Sequence, residues 1–271
     1  MLSDHFHSTA VTNHMLLPGA IDLWFAELDC PPVPLGQMAQ TLSSDETQRA
    51  DRFHFIRDRN RFIASRSMLR HILARYLDCT PGEIRFAYQD GGKPQVAHPA
   101  SLDGDLRFNL SHSADAAVYA ISRGNEVGVD IELICPKVPW PEIAKTFFAS
   151  GENAKLYQLP SHLRTAAFFN CWTRKEAYVK ARGDGLSHPL ATFEVSLAPD
   201  ESPALLSARD PGELERWRVL QLSLGNGFVG ALVVEGGPSS LRYLSCHRMN
   251  WRPGETAGRA GLTNEDVCPD A

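Results

Sequence analysis

Ala116-Ala-Val-Tyr-Ala-Ile-Ser-Arg-Gly-Asn-Glu-Val-Gly-Val-Asp-Ile-Glu-Leu133 reads as two strands joined at Arg123-Gly-Asn125. On either side of this joint the chain runs in the same order, a helix followed by strands. Upstream, residues 61–77 place Phe62, Leu69, Ile72, Leu73, Tyr76 and Leu77 near one side of a helix. Arg66, Arg70 and Arg75 fall largely off that side. Strand-like runs follow at 83–88 and 106–110, with a Gly91-Gly-Lys-Pro94 turn between them. Downstream, helical patterns cover 140–149 and 163–181, and strands are expected at 193–197, 216–222 and 228–234. No sequence repeat is detectable. The repeated order nevertheless gives two α+β halves, residues 1–123 and 124–248, with the richest motifs at their junction.

The ends carry less signal. The first dozen residues show no apolar period, and an edge strand is expected at Ile21-Asp-Leu-Trp-Phe-Ala26 before Pro31, Pro32 and Pro34. From Asn250 the chain turns to Gly, Pro, Thr and charge, so residues 249–271 read as a disordered tail.

Composition bounds the function. With 271 residues, 43% hydrophobic and 22% charged, the chain can bury a sizeable core. Its net charge of -5 argues against general affinity for nucleic acid or an anionic membrane, so any phosphate site must be local. The six cysteines form no C-x-x-C pair and no Cys/His cluster at zinc spacing. Neither a signal-like start nor a stretch of membrane-spanning length is present, and a cytoplasmic, unanchored protein is expected.

In Val127-Gly-Val-Asp-Ile-Glu132, strand alternation puts Val127, Val129 and Ile131 on one face and Gly128, Asp130 and Glu132 on the other. Neighbouring carboxylates repel unless solvated or bridged by a cation, and hard oxygens of this kind suit magnesium. Gly128 is expected to leave room beside them. For so short a motif taken alone, an exposed polar face is the commoner reading. Along residues 163–181, Phe168, Trp172, Glu176 and Lys180 succeed one another at i, i+4. The line starts apolar, which puts Glu176 at a core edge where it needs a cation or hydrogen-bond partner. A plain Glu–Lys helix pair is the alternative, with Lys175 solvated.

Phe108-Asn-Leu-Ser-His-Ser113 sets hydroxyls and an imidazole just beyond a strand, groups able to bind phosphate without a Walker-type loop. Taken alone, His112 is more often structural and Lys93 a solvated turn lysine, and Arg61 is either a bidentate phosphate contact or half of a surface salt bridge. Arg49, Arg52, Arg57 and Arg59 add a local basic patch.

Taken in order, Gly91-Gly-Lys-Pro94, Phe108-Asn-Leu-Ser-His-Ser113, Gly128-Val-Asp-Ile-Glu132 and Trp172-Thr-Arg-Lys-Glu-Ala-Tyr-Val-Lys180 resemble the Sfp-type 4'-phosphopantetheinyl transferases. The resemblance covers residues 49–190 and extends more weakly to Val234. It implies a pseudo-dimer of two similar α+β halves in one chain, a monomer, with coenzyme A bound between the halves. It further implies that Asp130, Glu132 and Glu176 ligate Mg2+ (or Mn2+) and that Lys180 contacts phosphate. By the same resemblance Ser111 and His112 hold phosphate, Lys93 and Pro94 lie near adenine, and Arg61 grips the 3'-phosphate. The implied reaction moves phosphopantetheine onto a serine of an apo acyl or peptidyl carrier protein, with Glu176 as base and Lys180 stabilising charge. Some family members carry paired lysines before the Arg-Phe that matches Arg52-Phe53. Here the run is Asp45-Glu-Thr-Gln-Arg-Ala-Asp51, which leaves Arg49 without an assigned role. A non-catalytic binding module and a nucleotide pyrophosphohydrolase are the competing readings.

Overall fold

The computed structural model describes residues 16–98, 105–185, 188–249 and 251. The unpatterned first dozen residues, and the expected tail apart from Met249 and Trp251, lie outside them.

The N-terminal half opens with β1 (Ala20–Glu27), α1 (Leu35–Ala39), α2 (Ser44–Asp51) and α3 (Ile56–Leu77). It continues with β2 (Arg85–Tyr88), β3 (Pro94–His98), β4 (Leu106–Ser113) and β5 (Ala116–Arg123). The C-terminal half contains β6 (Val127–Leu133), α4 (Trp140–Phe147), α5 (Ser150–Gln158) and α6 (Ser161–Arg182). After these come β7 (Glu194–Val195), β8 (Leu205–Ser207), α7 (Gly212–Arg216), β9 (Trp217–Leu222), β10 (Phe228–Glu235) and β11 (Ser240–Ser245).

Each half lays one 22-residue helix, α3 or α6, on one sheet. The first sheet has the order β11-β1-β5-β4 and the second β6-β10-β9. Strand alternation divides the core into three layers. On β5, Ala117, Tyr119 and Ile121 pack with Met68, Leu69 and Ile72 of α3. The opposite face, Ala116, Val118 and Ala120, packs with Val127, Val129 and Ile131 of β6. The reverse side of β10, Val229, Ala231 and Val233, joins Phe168, Ala177 and Tyr178 of α6. Because both faces of β1 and β5 are covered, these strands are apolar almost throughout rather than alternating.

Several expectations from sequence need correction. β1 is not an edge strand: it pairs antiparallel with β5 and parallel with β11, a strand the sequence did not reveal. β11 and the packed Met249 and Trp251 belong to the N-terminal core, so the chain returns to its first half before residue 248. The helix expected at 140–149 is present but stops two residues early, and a further helix that the sequence did not reveal follows it. α4 ends at Phe147, and α5 begins at Ser150 with Glu152 Oε2 accepting from Ala149 N at 2.8 Å. α3 starts at Ile56, and burial extends well round it, taking in Arg66 and Arg70.

Ser111, His112 and Ser113 lie within β4 rather than beyond it. β4 and β6 are edges of different sheets, yet side chains close the seam between them. Asn109 Oδ1 accepts from Val129 N at 2.9 Å, Ser111 Oγ from Ile131 N at 3.3 Å and Ser113 Oγ from Leu133 N at 3.1 Å. The two-residue period of one strand thus matches the outward N–H groups of the other.

Candidate active site between the halves

The seam aims the carboxylates. Gly128, Asp130 and Glu132 share the face of β6 that meets α6, while Val127, Val129 and Ile131 face the inter-half core. Gly128 does not leave space beside them: a Cβ there would stand 2.1 Å from Ala177 O and 2.3 Å from Ala181 N. Glycine is needed so that α6 can lie directly on β6, which brings Glu176 and Lys180 over Asp130 and Glu132.

Asp130 is buried. Its Oδ1 accepts from Lys180 Nζ at 2.6 Å and Ser111 Oγ at 2.9 Å, whereas its Oδ2 has no hydrogen-bond partner among the described residues. Glu132 accepts from Ser113 Oγ at 2.7 Å. All three carboxyls are pushed above their usual range, chiefly by burial. For Glu176 the charges of Asp130 and Glu132 add to the shift, which sets the three groups within electrostatic reach of one another. Among the described residues no His, Cys, Asp or Glu trio stands as a closed metal cage. The donor chemistry nonetheless fits a hard cation. Asp130 has an orphaned buried oxygen, two further carboxylates respond to the same negative field, and every donor is oxygen.

Two clefts flank this cluster and share Gly92, Pro94 and Leu110. One, of about 590 Å³, is lined by Arg49, Arg61, Arg66, Tyr88 and His112. The other, of about 540 Å³, is lined by Phe147, Trp172, Glu176, Val179, Lys180 and Leu190. The first is basic and the second largely apolar, so together they fit a molecule with an anionic end and an uncharged arm.

The site residues expected from sequence separate into two groups. Asp130, Glu132, Glu176, Lys180 and Ser111 come together, and His112 and Pro94 line the basic cleft beside them. Withdrawal from water, then the Lys180 ammonium, lowers the His112 pKa, which favours the neutral ring. Ser111 Oγ is already engaged by Asp130, Lys180 and Ile131 N, which leaves little capacity for phosphate. Lys93 lines the apolar cleft but is buried rather than solvated, and its ammonium is committed to protein acceptors. Its Nζ donates to Glu126 Oε2 at 2.8 Å, Val127 O at 3.1 Å and Ala181 O at 3.1 Å, bracing the end of α6 across the halves. Arg61 forms a bidentate pair with Asp29, at 2.6 and 2.5 Å, and lines the basic cleft. The basic patch is partly neutralised locally, Arg59 by Asp51 and Arg57 by Asp58.

Sequence reasoning missed Arg66 and misread Lys175. Arg66 lies 3.0 Å from Glu46 Oε1 and donates to Tyr88 OH at 2.7 Å on the cleft wall. Lys175 is fully buried: it pairs with Glu152 at 2.8 Å and donates to Leu190 O and Phe193 O, tying α5 and the cleft-lining 190–193 segment to α6. No sequence signal separates such a lysine from a solvated one, since its partners lie 15 to 23 residues away.

Residues 126–233 match the model of the 4'-phosphopantetheinyl transferase superfamily, and residues 33–123 match the model of the 4'-phosphopantetheinyl transferase N-terminal region. The chain is 39% identical over 224 residues to the 4'-phosphopantetheinyl transferase HetI of Nostoc, covering 83% of this chain and 91% of that one. It is 31% identical to the 4'-phosphopantetheinyl transferase Sfp of Bacillus subtilis, over 59% of this chain and 68% of that one. A further relative, the 4'-phosphopantetheinyl transferase AcpT of Salmonella typhimurium, is 40% identical over 42% of this chain and 56% of its own.

Proposed function

The chain belongs to the Sfp-type 4'-phosphopantetheinyl transferase family, and from that premise we propose how its inter-half site converts an apo carrier protein to the holo form. The enzyme transfers the 4'-phosphopantetheine arm of coenzyme A to a serine hydroxyl of the carrier and releases 3',5'-ADP. The observation that carries the site assignment is the meeting of Asp130, Glu132, Glu176 and Lys180 beside two clefts that share wall residues, one basic and one apolar.

In this reading the nucleotide phosphates lie in the basic cleft, with His112, Arg49 and the unshared N–H groups of Arg61 as donors and Pro94 on its wall. The pantetheine arm points along Trp172 and Phe147. Asp130, Glu132 and Glu176 would hold magnesium, for which manganese could substitute, and the bound ion would supply neutralisation of the pyrophosphate charge. Lys180 supports the bridging phosphate with its ammonium group. Glu176, beside the metal site on α6, is the group that takes the proton from the carrier serine. As the serine oxygen bonds to the β-phosphorus, the bond from that phosphorus to the bridging oxygen breaks and its electrons leave with 3',5'-ADP. Lys93 keeps the place near adenine that the family resemblance implies, but through its backbone and the fold it braces. Both halves of the cleft come from one chain, so a monomer suffices. Among the described residues no helix is long and apolar enough to cross a membrane, and coenzyme A supply makes the cytoplasm the compartment we propose.

The test is intact mass. With coenzyme A, magnesium and an apo carrier, we expect a phosphopantetheine adduct on the carrier serine and equimolar 3',5'-ADP. Release of 3',5'-ADP without an adduct would make the protein a pyrophosphohydrolase, and neither product would make it a binder.

A further inference from the structure

The seam between β4 and β6 performs more than strand pairing. Three side chains of β4, at alternate positions, each accept one β6 backbone N–H. The two serines differ from Asn109 because a hydroxyl can accept and donate at once. Each uses its proton on the β6 carboxylate one residue before the amide it accepts from. Ser111 Oγ accepts from Ile131 N and donates to Asp130 Oδ1 at 2.9 Å; Ser113 Oγ accepts from Leu133 N and donates to Glu132 Oε2 at 2.7 Å. Side-chain orientation in the C-terminal half is therefore set by hydroxyls of the N-terminal half.

We propose that Ser113 is a positioning residue for the metal site: it fixes the Glu132 carboxylate for divalent cation binding and couples correct docking of the halves to assembly of the site. The inference rests on the metal assignment made above. Glu132 is only partly buried, and besides the Ser113 hydroxyl at 2.7 Å it takes a side-chain hydrogen bond from Trp172 of α6, so without the Ser113 proton its carboxylate is held from the α6 side alone and loses its tie to the N-terminal half. A hydrogen-bond partner behind a metal-binding carboxylate commonly changes metal affinity by about 10- to 100-fold when removed. Ser111 has the parallel geometry at Asp130, but Lys180 shares that oxygen and would retain part of its orientation. Ser113 is the cleaner test. It is half-exposed at the end of β4, and the Leu133 amide that it would abandon lies at an exposed residue that water can reach.

The experiment titrates magnesium into the full chain carrying bound coenzyme A, by calorimetry, for the parent, Ser113→Ala and Ser113→Thr, alongside thermal unfolding and steady-state kinetics. The expected result is magnesium binding about tenfold weaker in Ser113→Ala, recovered in Ser113→Thr, whose hydroxyl can reach Glu132 again. The coenzyme A KM at saturating magnesium and the unfolding midpoint should stay close to the parent. Magnesium affinity in Ser113→Ala within twofold of the parent would overturn the proposal. So would weakened binding that Ser113→Thr fails to recover, since that would mark a general packing effect. A parent chain that transfers phosphopantetheine yet binds no magnesium would instead remove the metal assignment, and this inference with it.

Discussion

Glu176 illustrates what a single residue owes to its neighbours. In isolation a glutamate four residues from Lys180 is a common helix pair, but burial and the charges of Asp130 and Glu132 hold its proton more tightly than usual. Glu176→Gln keeps the shape and removes the base; turnover should fall by about 100-fold or more while coenzyme A affinity is largely kept. Single-turnover assays and calorimetry check this, and unchanged turnover would exclude Glu176 from proton transfer. Lys93 reverses the case. A lysine in a Gly-Gly-Lys-Pro turn looks solvated, yet its ammonium is surrounded by Glu126 and two carbonyls, one of them at the end of α6. Lys93→Met should lower unfolding stability by about 2–3 kcal/mol because it leaves these acceptors unpaired. A urea midpoint equal to the parent's would show that the brace contributes nothing.

Among the elements, the strand and helix periods were readable before any coordinates. Val127-Gly-Val-Asp-Ile-Glu132 divides its faces as alternation requires, and Phe168, Trp172, Glu176 and Lys180 do follow one side of α6, with the Phe168 and Trp172 rings stacked at 6.2 Å. The purpose of Gly128 was not readable, because the atoms that exclude a side chain there belong to a helix about fifty residues on. Gly128→Ala should push α6 off β6 and cost about 3 kcal/mol or more, with loss of transfer activity even in protein that remains folded. Chemical denaturation and the carrier-modification assay read the two effects separately. α5 escaped notice for a different reason. It is nine residues long, and much of its stability comes from Glu152, which caps its start, accepts from Val195 N and pairs with Lys175.

At the scale of the whole molecule, the chain crosses from one half to the other and then returns. β11 pairs with β1, and the buried Asp22 locks it there: Arg242 makes two bonds at 2.6 and 2.7 Å, and Tyr76 OH donates at 2.5 Å while accepting from Trp24 Nε1 at 2.8 Å. Arg242→Met would leave the Asp22 carboxylate buried with one neutral donor from Tyr76, so stability should fall by about 3 kcal/mol. The loss should be concentrated in the N-terminal sheet, and hydrogen exchange of the β1 and β5 amides measures it. Uniform protection equal to the parent's would mean that β11 is not locked by this pair.

The sequence by itself determined the α+β class, the carboxylate-bearing face of β6 and the line that carries Glu176 and Lys180. Each depends on spacing within one element, and local backbone geometry converts spacing into direction. Only the tertiary structure decided that Ser111 and Ser113 hold carboxylates, that Lys93 and Lys175 are braces, and that β11 completes the first sheet. In those cases the partner lies far along the chain, and a polar side chain has no fixed role until the packed fold chooses which distant donor or acceptor it meets.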